Sequence, residues 1–207
     1  MSFGANARKV RDARLPYGRR IVAFHACVER YRPIGFHHSL SFLEEIAGPY
    51  RTDENALLRA LDALAASRAA RKIIFCGYAE ARKDAKQRGE RWPHPDAPNP
   101  HMRVVWYGDV RRAALHVVRA GQAELARLAH ACGTGSVEAK LSTLTDRAIA
   151  SRGELSAEST KELAEIMDML SNRSTPDLYF DDAKSFFHVR RLWRAGRSIE
   201  DAAASEE

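Results

Sequence analysis

Four prolines within eight residues, Pro93, Pro95, Pro98 and Pro100, constrain this chain more than any other feature. Proline fixes φ and lacks an amide hydrogen, so this stretch forms neither helix nor central strand. Regular structure must lie on either side of it. Residues 77–101 together read as one long loop, and loops of that length inside a compact domain are uncommon and usually functional or disordered. The first part of the loop carries Arg82, Lys83, Lys86, Arg88 and Arg91.

Upstream of the loop, residues 1–18 read as a flexible basic arm. Gly4, Pro16 and Gly18 break a helix, and Arg8, Lys9, Arg11 and Arg14 solvate it. Ile21, Phe24, Val28 and Tyr31 then share one helical face over 19–32, and Pro33 ends that helix. Phe36, Leu40 and Leu43 mark a second helix over 36–47, stopped by Gly48-Pro49. Thr52 or Asp53 caps a third over 53–69, with Leu57, Leu58, Leu61 and Leu64 as its stripe. The period changes at Lys72–Cys76, a β-branched run bounded by Gly77 that reads as a strand. Met102–Tyr107, bounded by Gly108, reads as its hairpin partner.

Helix, helix, helix, strand, loop, strand is the element order of a winged helix. Residues 19–108 resemble a winged helix-turn-helix domain in that order, without a signature motif. The resemblance implies that the third helix enters the major groove and that loop 77–101 is the wing. Arg51, Thr52, Asn55 and Arg59 then lie on the recognition helix, with Asn55 and Arg59 as base-edge candidates. Asp53, Glu54 and Asp62 make that region net acidic. Arg8, Lys9, Arg11, Arg14, Arg19 and Arg20 from the arm, and the five wing cations, become phosphate candidates.

Downstream, Asp109 caps a connecting helix over 110–131, weakened at Gly121. Helices over 137–150, 157–171 and 177–195 follow, capped by Ser156 and by Ser174 or Thr175, with Pro176 in a first turn. The last is aromatic, with Tyr179, Phe180, Phe186, Phe187 and Trp193. Residues 135–197 thus read as a helical bundle and 198–207 as an acidic tail. The fold class expected is mainly α with a small β-hairpin, a winged-helix-like domain followed by a helical bundle.

Charge is where composition enters. The chain of 207 residues has a formal net charge of +6. Residues 1–32 hold eight basic and two acidic side chains, and 68–91 hold eight and three, whereas 153–207 hold seven and twelve. This asymmetry points to an anionic partner for the N-terminal part. No stretch is apolar enough for a membrane span. Cys27, Cys76 and Cys132 are scattered and odd in number, which suggests reduced thiols and a cytoplasmic protein. The Arg-rich, acid-poor N-terminus also suits a transit peptide, but it has no apolar core of a secretory signal.

Catalytic and metal patterns are sparse. Neighbouring His37 and His38 diverge on a helix, and His94 and His101 with Cys76 are a weak metal set, so no metal and no cofactor are expected. His25, His116 and His130 lie on helices, where a half-buried imidazole is ordinary. Gly133-Thr-Gly135 reads as punctuation between helices, because it lacks a preceding strand and a third glycine. Arg111 and His116 resemble, in their spacing, the short motif of HEPN-type ribonucleases, which implies that Arg111 holds a phosphate while His116 moves a proton. Three functions follow in order. The first is a non-catalytic regulator of transcription or replication, bacterial, plasmid or phage, that binds duplex DNA. The second is an RNA-cleaving enzyme using Arg111 and His116. The third is a helical adaptor whose acidic C-terminal segment docks a protein. A homodimer through the C-terminal helices accompanies the first.

Overall fold

Asp53 accepts a hydrogen bond from the Asn55 amide at 2.8 Å and starts a helix that runs unbroken for 34 residues, Glu54–Gln87. It is α4 of the computed structural model, which describes residues 2–91, 93, 105–173 and 183–203. Before it come α1 (Phe3–Arg11), α2 (Tyr17–Arg30) and α3 (Phe36–Ala47); after it come α5 (Val110–Cys132), α6 (Val137–Ala150), α7 (Ala157–Arg173) and α8 (Ala183–Ala203). The chain divides into two compact units, Met1–Gly108 and Asp109–Glu207.

No strand occurs among the described residues, so the expected β-hairpin, and with it the winged helix, is overturned. Lys72–Cys76 is an internal segment of α4. The physical reason is cooperativity. Good helix formers lie on both sides, Ala-Ser-Arg-Ala-Ala-Arg before and Ala-Glu-Ala-Arg-Lys-Asp-Ala-Lys-Gln after. Two isoleucines and Gly77 cost about 2 kcal/mol together against such neighbours, and propagation carries the helix across them. Of the expected second strand, residues 102–104 lie outside the described residues. Val105, Trp106 and Tyr107 are irregular and buried.

The supposed arm is also helical over α1. Ser2 caps it by accepting from the Ala5 amide at 3.2 Å, and Phe3, Ala7 and Val10 bury one stripe. Burial of that stripe on α2 and α4 outweighs the roughly 1 kcal/mol cost of Gly4. The core of this first unit is Phe24, Phe42, Leu43, Tyr50, Leu57, Leu61 and Leu64, all fully buried. Buried Ser67 ties the far side together. Its hydroxyl pairs with the Tyr31 hydroxyl at 2.9 Å and accepts from the Tyr107 amide at 3.1 Å. Trp106 meets Phe42 edge-on at 5.0 Å.

The second unit is a four-helix bundle. Leu141, Leu144, Leu163, Ile166, Leu170, Leu192 and Ile199 form its core, with Trp193 packed partly buried against it. Asp109 and Ser136 cap α5 and α6 through the Arg112 and Ala139 amides. α5 passes through Gly121 without a break. Ser174, Thr175, Pro176, Tyr179 and Phe180 lie outside the described residues, as do the side chains of Phe186 and Phe187. No helix among the described residues is long and apolar enough to cross a membrane.

Candidate nucleic-acid interface

The first three turns of α4 are core, but its last twenty residues are mostly exposed. At about 100° per residue, Leu57, Leu61 and Leu64 lie on one side of the axis. The same side carries Arg68, Arg71, Phe75, Arg82 and Lys86 further along. The apolar stripe therefore turns cationic at residue 68. With Lys72 and Lys83, six cations fall within an arc of about 120° over a length of about 27 Å. Glu80 and Asp84, the acids of this half, lie outside the arc. An exposed helix of ordinary diameter, with one cationic face, has the dimensions of an occupant of the DNA major groove.

Aromatic rings orient the start of this stripe. The Arg68 guanidinium lies 4.6 Å from the Phe3 ring centroid, and that of Arg71 lies 4.3 Å from Phe75 and 5.8 Å from Tyr31. A guanidinium stacked on a ring keeps its N–H edge available for a phosphate. Arg88, just past the helix, is held by Glu90 at 2.8 Å. The structure places Arg82 and Arg91 among exposed residues with further interactions of their own.

Other expected contact residues are dispersed. Arg20 is buried: its Nε donates to the Val10 carbonyl at 2.7 Å and its Nη1 to Glu54 at 2.7 Å. It locks α1 and α2 to the start of α4 and is removed from the surface. Arg59 donates twice to the Ala47 carbonyl, at 2.8 and 3.2 Å, and so closes the C-terminus of α3. Arg11 pairs with Asp62 at 2.6 Å, and Arg14 with Asp12 at 2.9 Å, both at the surface. Thr52 donates to the Pro49 carbonyl at 3.3 Å, and Arg51 leans over Tyr50. Asn55, Arg8, Lys9 and Arg19 are exposed. Arg8, Lys9 and Arg11 share α1, whose Phe3 end abuts Arg68 on the cationic face.

The sequence reading missed Arg68, Arg71 and Lys72 as one set with Arg82, Lys83 and Lys86. A helical wheel over 54–87 contains the signal, but a strand assigned to 72–76 breaks the wheel in two.

Arg111 and His116 both sit on α5, but five residues apart they point about 140° away from each other. Among the described residues no group of three His, Cys, Asp or Glu is placed to hold a metal; His94 and His101 lie outside them. Buried Cys27 has its thiol pushed up to about 11 by desolvation, which holds it protonated. In the second unit Glu138 is held below its ordinary value: burial opposes this, but hydrogen bonds from His188, at 2.7 Å, and from Ser136 prevail. That pair joins α6 to α8.

No protein-family model matches this chain, and neither a curated protein nor a solved structure matches it.

Proposed function

We propose that the chain is a non-catalytic nucleic-acid-binding protein whose first unit docks the cationic face of α4 on duplex DNA. The observation that carries this reading is the set of six cations on one exposed helical face, with the acids of that half turned away. Phosphate contacts supply affinity without direct sequence information. Lys83 and Lys86, with the stacked Arg68 and Arg71, are the phosphate residues of this proposal. Asn55, at the exposed start of the helix, is the base-edge candidate; Arg59 is exposed too, but its guanidinium donates to the Ala47 carbonyl. A role in regulating transcription or replication is the class of process such binding serves.

The test is binding of the full chain to labelled duplex DNA, single-stranded DNA and RNA of mixed sequence, at about 50 and about 200 mM salt. About six phosphate contacts imply a loss of roughly 10³-fold in affinity across that range. Salt-steep binding that favours duplex DNA is expected. Preference for RNA with cleavage overturns the reading in favour of Arg111 and His116, and no binding above the general 10⁻⁴ M level leaves the adaptor.

A further inference from the structure

The solvent side of α5 is a second basic face, in the unit that carries the acidic excess. Arg112, His116, Arg119, Arg127 and His130 fall within an arc of about 80° over a length of about 27 Å. His116 is half-buried and the other four are exposed. Leu115, Val118 and Leu125 occupy a different arc and are buried. Ala123 lies at the centre of the basic face and adds no bulk there. Glu124, the one acid of α5, lies outside the arc. Arg191 of α8 holds it at 2.5 Å, and Arg127 reaches it only at 3.9 Å. Arg191 thereby borders the α5 face, and exposed Arg194 follows it three residues on.

We propose that this face of α5 is a second contact for the phosphate backbone of duplex nucleic acid. Three observations select that partner. Charge is sorted within the bundle. Glu158, Glu165 and Asp168 are exposed on α7, which packs on α6 and α8 and, among the described residues, not on α5. The acids therefore lie diagonally across the bundle from the arginines, and a polyanion is attracted to one side and repelled from the other. The cations of the face are all arginines, whose planar fork matches a phosphate with two N–H donors, and a neutral imidazole adds a further N–H. α5 has no Phe, Tyr or Trp, so it lacks the stacking platform that binding of a single strand uses. Backbone contact of this kind adds affinity and salt dependence without direct sequence information. The inference extends the nucleic-acid reading to the second unit and does not rest on α4.

The test compares four forms of the full chain on duplex and single-stranded DNA of mixed sequence, between about 50 and about 200 mM salt. They are the unmodified chain, Arg119→Ala/Arg127→Ala, Lys83→Ala/Lys86→Ala, and Lys161→Ala on the acidic helix. Arg119 and Arg127 are exposed, so helix content is expected to stay unchanged in their variant. With two phosphate contacts gone from α5, the logarithmic salt slope on duplex DNA is expected to fall by about 2. The affinity lost across that salt range then shrinks roughly tenfold. Lys161→Ala is expected to leave the slope unchanged. A slope that falls in the α4 variant but not in the α5 variant overturns this inference alone. The reverse result overturns the α4 reading and supports this one. A fall in Lys161→Ala as large per cation overturns the contact in favour of general net charge. An effect of the α5 variant confined to single-stranded DNA overturns the assignment to duplex. No binding by the unmodified chain overturns both readings.

Discussion

His25 shows how one side chain couples the first unit to pH. Its ring lies among Phe24, Phe36 and Tyr50, at centroid distances of 6.3, 6.4 and 6.2 Å, and its Nε2 is buried without a hydrogen-bond partner. Desolvation first, and the charge of Arg51 second, hold its pKa below the ordinary 6.5. A histidine depressed in the folded state stabilises above the unfolded value, and that stability is lost as pH falls below 6.5. Denaturant titrations between pH 7.5 and 5 are expected to show falling stability. In His25→Phe, which surrenders no hydrogen bond, the profile should be flatter over that range; an unchanged slope assigns the acid sensitivity elsewhere. Glycine contributes a second residue-scale prediction. At Gly153 φ is +96°, and an added Cβ would lie 2.3 Å from the Ala202 carbonyl oxygen. Gly153→Ala is expected to cost the second unit about 2–4 kcal/mol, read by thermal unfolding, through positive φ and that backbone clash together. Gly4 makes the converse point, because its breaker character alone does not predict the helix that Phe3, Ala7 and Val10 bury.

At the scale of the element, α4 decides what was legible. Its first half follows from Asp53 and the leucine stripe at 57, 61 and 64. Its continuation was hidden because Ile73, Ile74, Phe75 and Cys76 have strand character locally, whereas the helix formers flanking them act over a longer range. The three helices over 110–132, 137–150 and 157–173 were legible to within a few residues, since Asp109, Ser136 and Ser156 mark their starts and leucines mark their faces. Side-chain roles were less legible. Arg20 reads as a surface cation but is buried on the Val10 carbonyl, whereas Arg59 stays exposed with its guanidinium on the Ala47 carbonyl, a partner that only the folded chain brings near. That difference makes a prediction. Arg20→Ala leaves Glu54 and the Val10 carbonyl without their buried partner and is expected to destabilise the first unit by about 3 kcal/mol. Lys83→Ala, at an exposed position, is expected to change stability by less than about 0.5 kcal/mol. Chemical denaturation of both variants checks the contrast.

The whole molecule consists of two compact units joined at Gly108–Asp109, with the cationic helix in the first and the acidic excess in the second. Each has its own buried core, so residues 1–108 and 109–207 expressed apart are expected to remain helical and to unfold cooperatively; loss of helix in either piece would contradict that division. The central claim is that the cationic face of α4 is the nucleic-acid contact. The most direct measurement compares the salt dependence of duplex-DNA binding for the unmodified chain and for Lys83→Ala/Lys86→Ala. With two phosphate contacts gone, the logarithmic salt slope is expected to fall by about 2, and affinity at about 50 mM salt to drop uniformly across sequences. An unchanged slope and affinity would contradict the claim.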